Sequence, residues 1–135
     1  MKILGLDIGQ RRIGVAIALG KIASSYAVIE MTDLTKTMAE VAQIIRKENI
    51  EKIVIGIPKN KDTFQADRIH KFAIELTKNV NLPVEYLDET LTSKEAERLL
   101  KASNLDPKSE KYREMVDKIS AKLILEQYLG GEADL

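Results

Sequence analysis

The feature that most constrains this chain is a change in the spacing of its apolar residues. Three β-branched runs, Lys2–Ile8, Arg12–Ala18 and Tyr26–Met31, are separated by only a few residues, which predicts strands joined by hairpins. From Leu34 the apolar residues recur at helical spacing, and strand and helix patterns then alternate. A meander followed by such alternation predicts an α/β domain with a mixed sheet, in which right-handed crossovers connect the later, parallel strands.

Helix-capping and helix-ending residues mark the limits of the later elements. Thr32 and Asp33 are the capping candidates for the first helix, and Thr92 and Glu95 have the spacing of a capping box. We interpret residues 1–135 as one domain, because the chain has no repeat and no linker rich in Pro, Gly or Ser. The remaining predicted strands are Lys52–Ile57 and Val84–Glu89. The remaining predicted helices lie around Ile69–Leu76, from Thr92 to Ala102 and from Ser109 to Leu129. Gly130 and Gly131 are the predicted end of the last helix.

Composition excludes several classes of protein. There is no cysteine, so a disulfide framework and a thiolate metal site are both excluded. The 21 basic and 21 acidic residues cancel, which argues against strong non-specific binding of nucleic acid but leaves room for a local basic face. No run approaches the ~18 apolar residues of a membrane span, and the first residues lack a secretory cleavage site. We therefore expect a cytoplasmic protein without a membrane partner.

Asp7 is the most informative residue for function. It lies in ILGLDIG, where all neighbours are apolar or glycine, and a buried carboxylate there needs a metal, a cation or several donors. It also falls at the carboxyl end of the first strand, the edge at which open α/β sheets bind ligands. The alternative is an Asp that forms a turn by bonding its own backbone.

Two further acids are candidates for the same site. Glu89 ends a strand beside Asp88, and strand alternation puts their side chains on opposite faces without fixing which one faces the site. Asp117 lies on a helix stripe with the small and apolar residues Ser120, Ala121, Ile124 and Tyr128. The alternatives are a solvated strand end for Glu89 and an exposed Asp117 paired with Lys118 or Lys122.

Three acids on separate elements predict a site for Mg²⁺ or Mn²⁺. Hard cations prefer oxygen ligands and keep waters that substrate phosphate can replace. Two such ions ~4 Å apart support phosphodiester cleavage. Arg11 and Arg12 follow the Gly9 turn and are candidates for phosphate binding. Lys59 and Asn60 follow the central strand and are candidates for lining a substrate groove. A solvated basic hairpin tip and an ordinary turn are the alternatives.

Four segments together resemble the YqgF family, also called RuvX or Holliday-junction-resolvase-like proteins. They are GLDIGQRRIGVAI, IVIGIPKNKD, LDETLTSKEAERLL and VDKISAKLILEQYL, in the family's order over essentially the whole chain. The resemblance implies a ribonuclease H-like fold with sheet order 3-2-1-4-5. It also implies a metal-dependent nuclease, proposed to mature the 5′ end of the small-subunit ribosomal RNA precursor (pre-16S rRNA), with its acids at Asp7, Glu89 and Asp117.

The chain departs from the family pattern at two positions that bear on the site. Thr90 stands where the family usually has an Arg after its Asp-Glu pair. Gly56 stands on the strand where the related junction resolvases carry a glutamate, which argues against junction cleavage and not against the fold.

Other functions stay open on the sequence alone. The substrate is structured RNA by preference, with branched DNA as the alternative, and a ribosome precursor is a candidate partner. A Holliday junction resolvase would act as a symmetric dimer, whereas the chain itself is compatible with a monomer or a homodimer. A non-catalytic RNA- or ribosome-binding module would also suit the zero net charge and Thr90. The first segment further resembles the phosphate-binding hairpin of actin-like ATPases and sugar kinases, but those proteins contain two copies of the fold.

Overall fold

The computed structural model describes residues 1–58, 63–88, 92–101 and 103–133. In this part of the chain, five strands precede or alternate with four helices. The strands are β1 (Lys2–Ile8), β2 (Arg12–Leu19), β3 (Ile22–Glu30), β4 (Lys52–Ile57) and β5 (Val84–Asp88). The helices are α1 (Leu34–Glu48), α2 (Thr63–Asn79), α3 (Thr92–Leu100) and α4 (Glu110–Ala133).

The five strands form one mixed sheet in the order β3-β2-β1-β4-β5, which confirms the predicted order. β1, β2 and β3 are an antiparallel meander, and β4 and β5 run parallel to β1. The carboxyl ends of β1, β4 and β5 therefore meet at one edge, at Ile8, Ile57 and Asp88. We call it the carboxyl edge.

Strand alternation divides the core into two layers. Leu4, Leu6 and Ile8 pack into a large cluster with apolar residues of α1 and α2, and we call that side of the sheet the α1/α2 face. Ile3 lies on the opposite side and packs with Ile124 of α4, so this side is the α4 face. α4 contacts β1, β2, β3 and β4, so one helix covers most of that face.

Helix α1 begins directly after Asp33, one of its two capping candidates, and ends at an asparagine that the sequence analysis did not single out. The Asp33 side chain accepts a hydrogen bond from the Thr35 backbone N–H at 3.0 Å, which satisfies one of the donors left free in the first turn. Asn49 ends the helix in the left-handed conformation, with a φ of 57°. This cap brings the chain back to the amino end of β4.

Two predicted boundaries are wrong by more than two residues. β3 begins at Ile22 and not at Tyr26, because an edge strand pairs through its backbone and leaves polar residues such as Ser24 and Ser25 exposed. α4 does not end at Leu129 but continues through both glycines to Ala133. Glycine ends a helix by adopting a positive φ, and in the described part of the chain only Gly20 does so among glycines.

Candidate functional site

Asp7 lies at the carboxyl edge, where the sequence predicts it. It is the penultimate residue of β1 and is half-buried. Because side chains alternate along a strand, Asp7 lies on the α4 face together with Ile3 and Gly5. Directly opposite, on β2, is Gly14. Because residues paired across antiparallel strands have their Cα atoms ~4.5–5.5 Å apart, any group resting on Gly14 is next to Asp7.

The group that rests on Gly14 is the backbone of Asp117. A Cβ added at Gly14 would lie 2.7 Å from the carbonyl carbon of Asp117 and closer still to its oxygen. Only glycine permits this approach, since real Cβ atoms do not come within 3.0 Å of such neighbours. The sheet and α4 thus bring Asp7 and Asp117 together across Gly14, although they are 110 positions apart in the sequence.

Asp117 is paired with an arginine of β2. Its Oδ2 accepts a hydrogen bond from Arg12 Nε at 2.9 Å, and Arg12 Nη1 lies 3.8 Å from Glu110 Oε1. The alternative pairing with Lys118 or Lys122 is therefore wrong. Burial raises the pKa of Asp117 above its usual range, and the nearby Arg12 opposes that rise.

The rest of the α4 stripe faces the core, as its spacing predicts. Ser120, Ala121 and Ile124 are fully buried, whereas Tyr128 is half-buried. These small side chains allow α4 to lie close to the sheet at the level of Asp117. Asp117 itself keeps 23% of its side chain exposed, so it is open to a ligand from solvent.

Two residues of α2 hold the turn that follows Asp7. Gln65 Nε2 donates to the carbonyl of Ile8 at 3.2 Å, and Arg68 Nη1 donates to the carbonyl of Gly9 at 3.0 Å. Arg68 Nη2 also donates to Gln65 Oε1 at 2.8 Å. Sequence reasoning missed both residues. Their i, i+3 spacing at the start of α2 is the signal, because it puts them on one face of the helix.

Arg12 lies between two surface clefts beside the acids. One cleft, of about 220 Å³, is lined by Arg11 and Arg12 together with Glu30 and Glu110. The other, of about 310 Å³, is lined by Arg12, Asp117 and Arg113 among others. The structure thus puts the predicted Arg12 beside Asp117 and Arg11 in the neighbouring cleft, and it adds Arg113, which the sequence did not single out. The two clefts give the site cations of the kind that bind phosphate.

The register of β5 separates Asp88 from the other acids. Asp88 pairs with Ile57, whose side chain is in the core of the α1/α2 face, so the Asp88 side chain lies on the face opposite Asp7. Gly56 directly precedes Ile57 in β4, so it lies on the opposite, α4 face. β1 and β4 pair at Leu6 and Ile55, so the next residues, Asp7 and Gly56, lie side by side. Three predicted site residues, Glu89, Lys59 and Asn60, lie outside the described residues.

The described residues contain no group of three or more His, Cys, Asp or Glu side chains able to hold a metal ion. They do contain two carboxylates, Asp7 and Asp117, on one face and at one edge. Mg²⁺ typically takes one or two carboxylates, with waters and substrate phosphates completing its coordination. Two half-buried acids beside clefts that contain arginines fit that requirement. No helix within the described ranges is long and apolar enough to cross a membrane.

Comparison of the fold with solved structures identifies the class. The chain is similar to Thermus thermophilus RuvC, solved in complex with a Holliday junction substrate, with a TM-score of 0.62, 11% identity, and coverage of 99% of this chain and 96% of that one. It is also similar to the fowlpox virus resolvase, with a TM-score of 0.59, 19% identity, and coverage of 98% and 99%. Such identities establish the fold alone, which is ribonuclease H-like.

Comparison of the sequence identifies the family. The model of the RuvX family, described as a Holliday junction resolvase, matches residues 1–131. A Picosynechococcus protein named "Putative pre-16S rRNA nuclease" is 41% identical over 131 residues, covering 93% of this chain and 90% of the relative. A Trichormus variabilis protein of the same name is 38% identical, covering 93% and 85%. The chain belongs to the RuvX family, which confirms the resemblance found in its motifs.

Proposed function

We propose that this protein is a metal-dependent nuclease that hydrolyses phosphodiester bonds in the maturation of the 5′ end of pre-16S rRNA. The observation that carries the proposal is the meeting of Asp7 and Asp117 across Gly14 at the carboxyl edge. The names of the relatives support the substrate, and membership of a nuclease family supports the reaction.

Asp7 and Asp117 would hold Mg²⁺ or Mn²⁺, with Glu89 as the third acid. Asp88 is unsuited to that role because it lies on the α1/α2 face, which leaves Glu89 as the candidate from this segment. When bound, a divalent ion neutralises charge on the phosphate and lowers the pKa of a water. The burial that raises the pKa of Asp117 also strengthens its attraction for a cation.

The basic residues of the two clefts would bind and orient the substrate. Arg12 borders both clefts, so a phosphate bound in either one would lie beside it. Arg11 and Arg113 would contact phosphates on either side of Arg12. These contacts would align the nucleic-acid backbone with Asp7 and Asp117. Lys59 and Asn60 stay predictions of further contacts.

The test is cleavage of end-labelled pre-16S rRNA by purified protein, with Mg²⁺ or Mn²⁺ and with EDTA. Cleavage is expected with metal only, and Asp7→Asn is expected to reduce it to the level of the EDTA control, because the variant removes one charged oxygen ligand. Glu51→Gln is the matched control, since Glu51 is an exposed acid at the opposite edge of the sheet. Metal-dependent cleavage that persists in Asp7→Asn would refute the assignment of the site.

A junction resolvase is the second candidate. It is favoured by the description of the family model and by a full-length fold similarity to RuvC. Gly56, which supplies no acid beside Asp7, argues against it. A four-way DNA junction in the same assay separates the two, and symmetric cleavage by a dimer would favour the resolvase. Binding of RNA without cleavage would instead favour the non-catalytic module.

A further inference from the structure

A pocket that the proposed reaction does not use lies on the α1/α2 face at the carboxyl edge. It has a volume of about 230 Å³, and its walls are the apolar side chains of Ile8, Met31, Leu34 and Phe72. We call it the Phe72 pocket. Arg68, Lys71 and Glu75 line it as well, so charged groups surround an apolar interior.

The position of the pocket connects it to the acids. Ile8 follows Asp7 directly in β1, and alternation turns its side chain to the other face of the sheet. The pocket therefore begins one residue from Asp7, on the opposite face of the sheet. A nucleic-acid strand that crosses the carboxyl edge with its phosphate at Asp7 brings a neighbouring nucleotide to the Phe72 pocket.

The chemistry of the pocket narrows its occupant. Its volume is below the ~300–1,000 Å³ of sites for drug-sized ligands, so it suits a single ring and not a whole cofactor. Arg68, which lines the pocket, is fixed by hydrogen bonds from its guanidinium to the Gly9 carbonyl and to Gln65 Oε1, so a positive charge is held at the pocket wall. Lys71 is exposed at the rim, where an anionic backbone would pass.

We propose that the Phe72 pocket binds one unstacked nucleobase of a single-stranded segment next to the cleaved phosphate. The base would rest on Leu34 and Phe72, Arg68 and Lys71 would attract the backbone, and Glu75 would accept from an exocyclic amino group. This proposal rests on the proposed nuclease function and deepens it, because it makes a single-stranded or frayed segment the substrate.

The test uses short single-stranded RNA oligonucleotides in which one base at a time is replaced by an abasic ribose. Affinity is measured in EDTA, so that cleavage does not interfere. One position is expected to lose about 5- to 100-fold in affinity, the range for removal of one stacked base. Leu34→Gln is expected to reduce that loss to less than about twofold. Leu99→Gln is the matched control, because Leu34 and Leu99 are both 49% exposed, and it should keep the full loss.

A second readout does not depend on a loss of affinity. The chain contains no tryptophan, so Leu34→Trp places a unique fluorophore at the pocket. Base stacking is expected to quench its emission when RNA is added, whereas the emission of Leu99→Trp should stay unchanged. Equal responses from the two variants, or an abasic penalty at no position, would overturn the proposal.

The outcomes also separate this proposal from the proposed function. Metal-dependent cleavage with a flat abasic series would refute the base pocket alone. A position-specific penalty that Leu34→Gln removes, in a protein that cleaves no substrate, would refute the nuclease and leave the pocket as a binding site.

Discussion

Replacing Gly14 with alanine inserts a methyl group where the backbone of Asp117 now lies. The new Cβ would be 2.7 Å from the Asp117 carbonyl carbon, and a helix backbone cannot rotate away as a side chain can. α4 must instead retreat by roughly 0.5–1 Å, which forfeits a quarter to a half of the dispersion attraction in the affected contacts. Overpacking of this kind costs about 1–3 kcal/mol, and we expect about 2–3 kcal/mol because the neighbour is backbone.

The same retreat moves Asp117 away from Asp7. A displacement of ~1 Å in a catalytic group lowers rates by about 10²-fold, so cleavage by Gly14→Ala is expected to fall by that factor. Urea denaturation measures the free energy of unfolding, and the RNA cleavage assay measures the rate. The two losses share one cause and are expected together.

Gly5→Ala is the control that separates displacement of the site from loss of stability. Its added Cβ would lie 2.5 Å from Leu125 Cγ, under the same helix but two turns from Asp117, and against a side chain. We expect Gly5→Ala to lose about 1–3 kcal/mol in the free energy of unfolding, with cleavage reduced less than about tenfold. If Gly14→Ala is as stable and as active as the wild type, the close approach of α4 does not position the acid and the reasoning fails.

Three further predictions concern stability. Burial raises the pKa of Asp117 in the folded state, so ionisation of this carboxyl disfavours folding. The stability that the protonated carboxyl contributes is fully present below the ordinary Asp pKa. It is lost as the pH rises through the raised pKa of the folded state. Asp117→Asn is therefore expected to be more stable than the wild type near neutral pH and not at about pH 3, and thermal melts that show no such pH dependence would contradict this. Tyr128→Phe removes the hydroxyl that accepts a hydrogen bond from Lys52 Nζ at 2.6 Å and also bonds Glu85, at the opposite edge of the sheet. The free energy of unfolding should fall by about 0.5–1.5 kcal/mol for each hydrogen bond lost, with cleavage intact. Gly130→Ala should raise the free energy of unfolding by about 0.5–1 kcal/mol, because Gly130 is helical and nothing lies within 4 Å of an added methyl; urea denaturation that shows a loss would mean that this last turn is not helical in solution.

The fold was largely predictable because its strands carry strong local patterns. β1 and β4 are buried runs bounded by Gly9 and Pro58, and their predicted limits are those observed. The first half of β3 was missed because an edge strand is held by backbone pairing, which leaves no apolar period to find. The end of α4 was missed because glycine is a weak stop signal when the helix is anchored by packing, as it is at the buried Leu129.

The candidate site was predictable only in part. Asp7 stands out because a carboxylate within an apolar strand is costly to bury unless a cation or several donors compensate its charge. Its proximity to Asp117, and the Asp117–Arg12 ion pair, depend on contacts between residues more than 100 positions apart. A local signal does exist in Gly5 and Gly14, which interrupt apolar strands on one face and so indicate that something packs closely there. What packs there is decided by the tertiary structure.

α4 spans four strands of the sheet and carries Asp117 on its first half, and this has a consequence for how the protein loses function. Proteins open in cooperative units whose free energies lie below that of global unfolding. A transient detachment of α4 removes Asp117 from Asp7 while the five strands stay paired. On the proposed site, the fraction of molecules competent to cleave is the fraction in which α4 is docked, and we expect cleavage to decline in denaturant before the sheet unfolds.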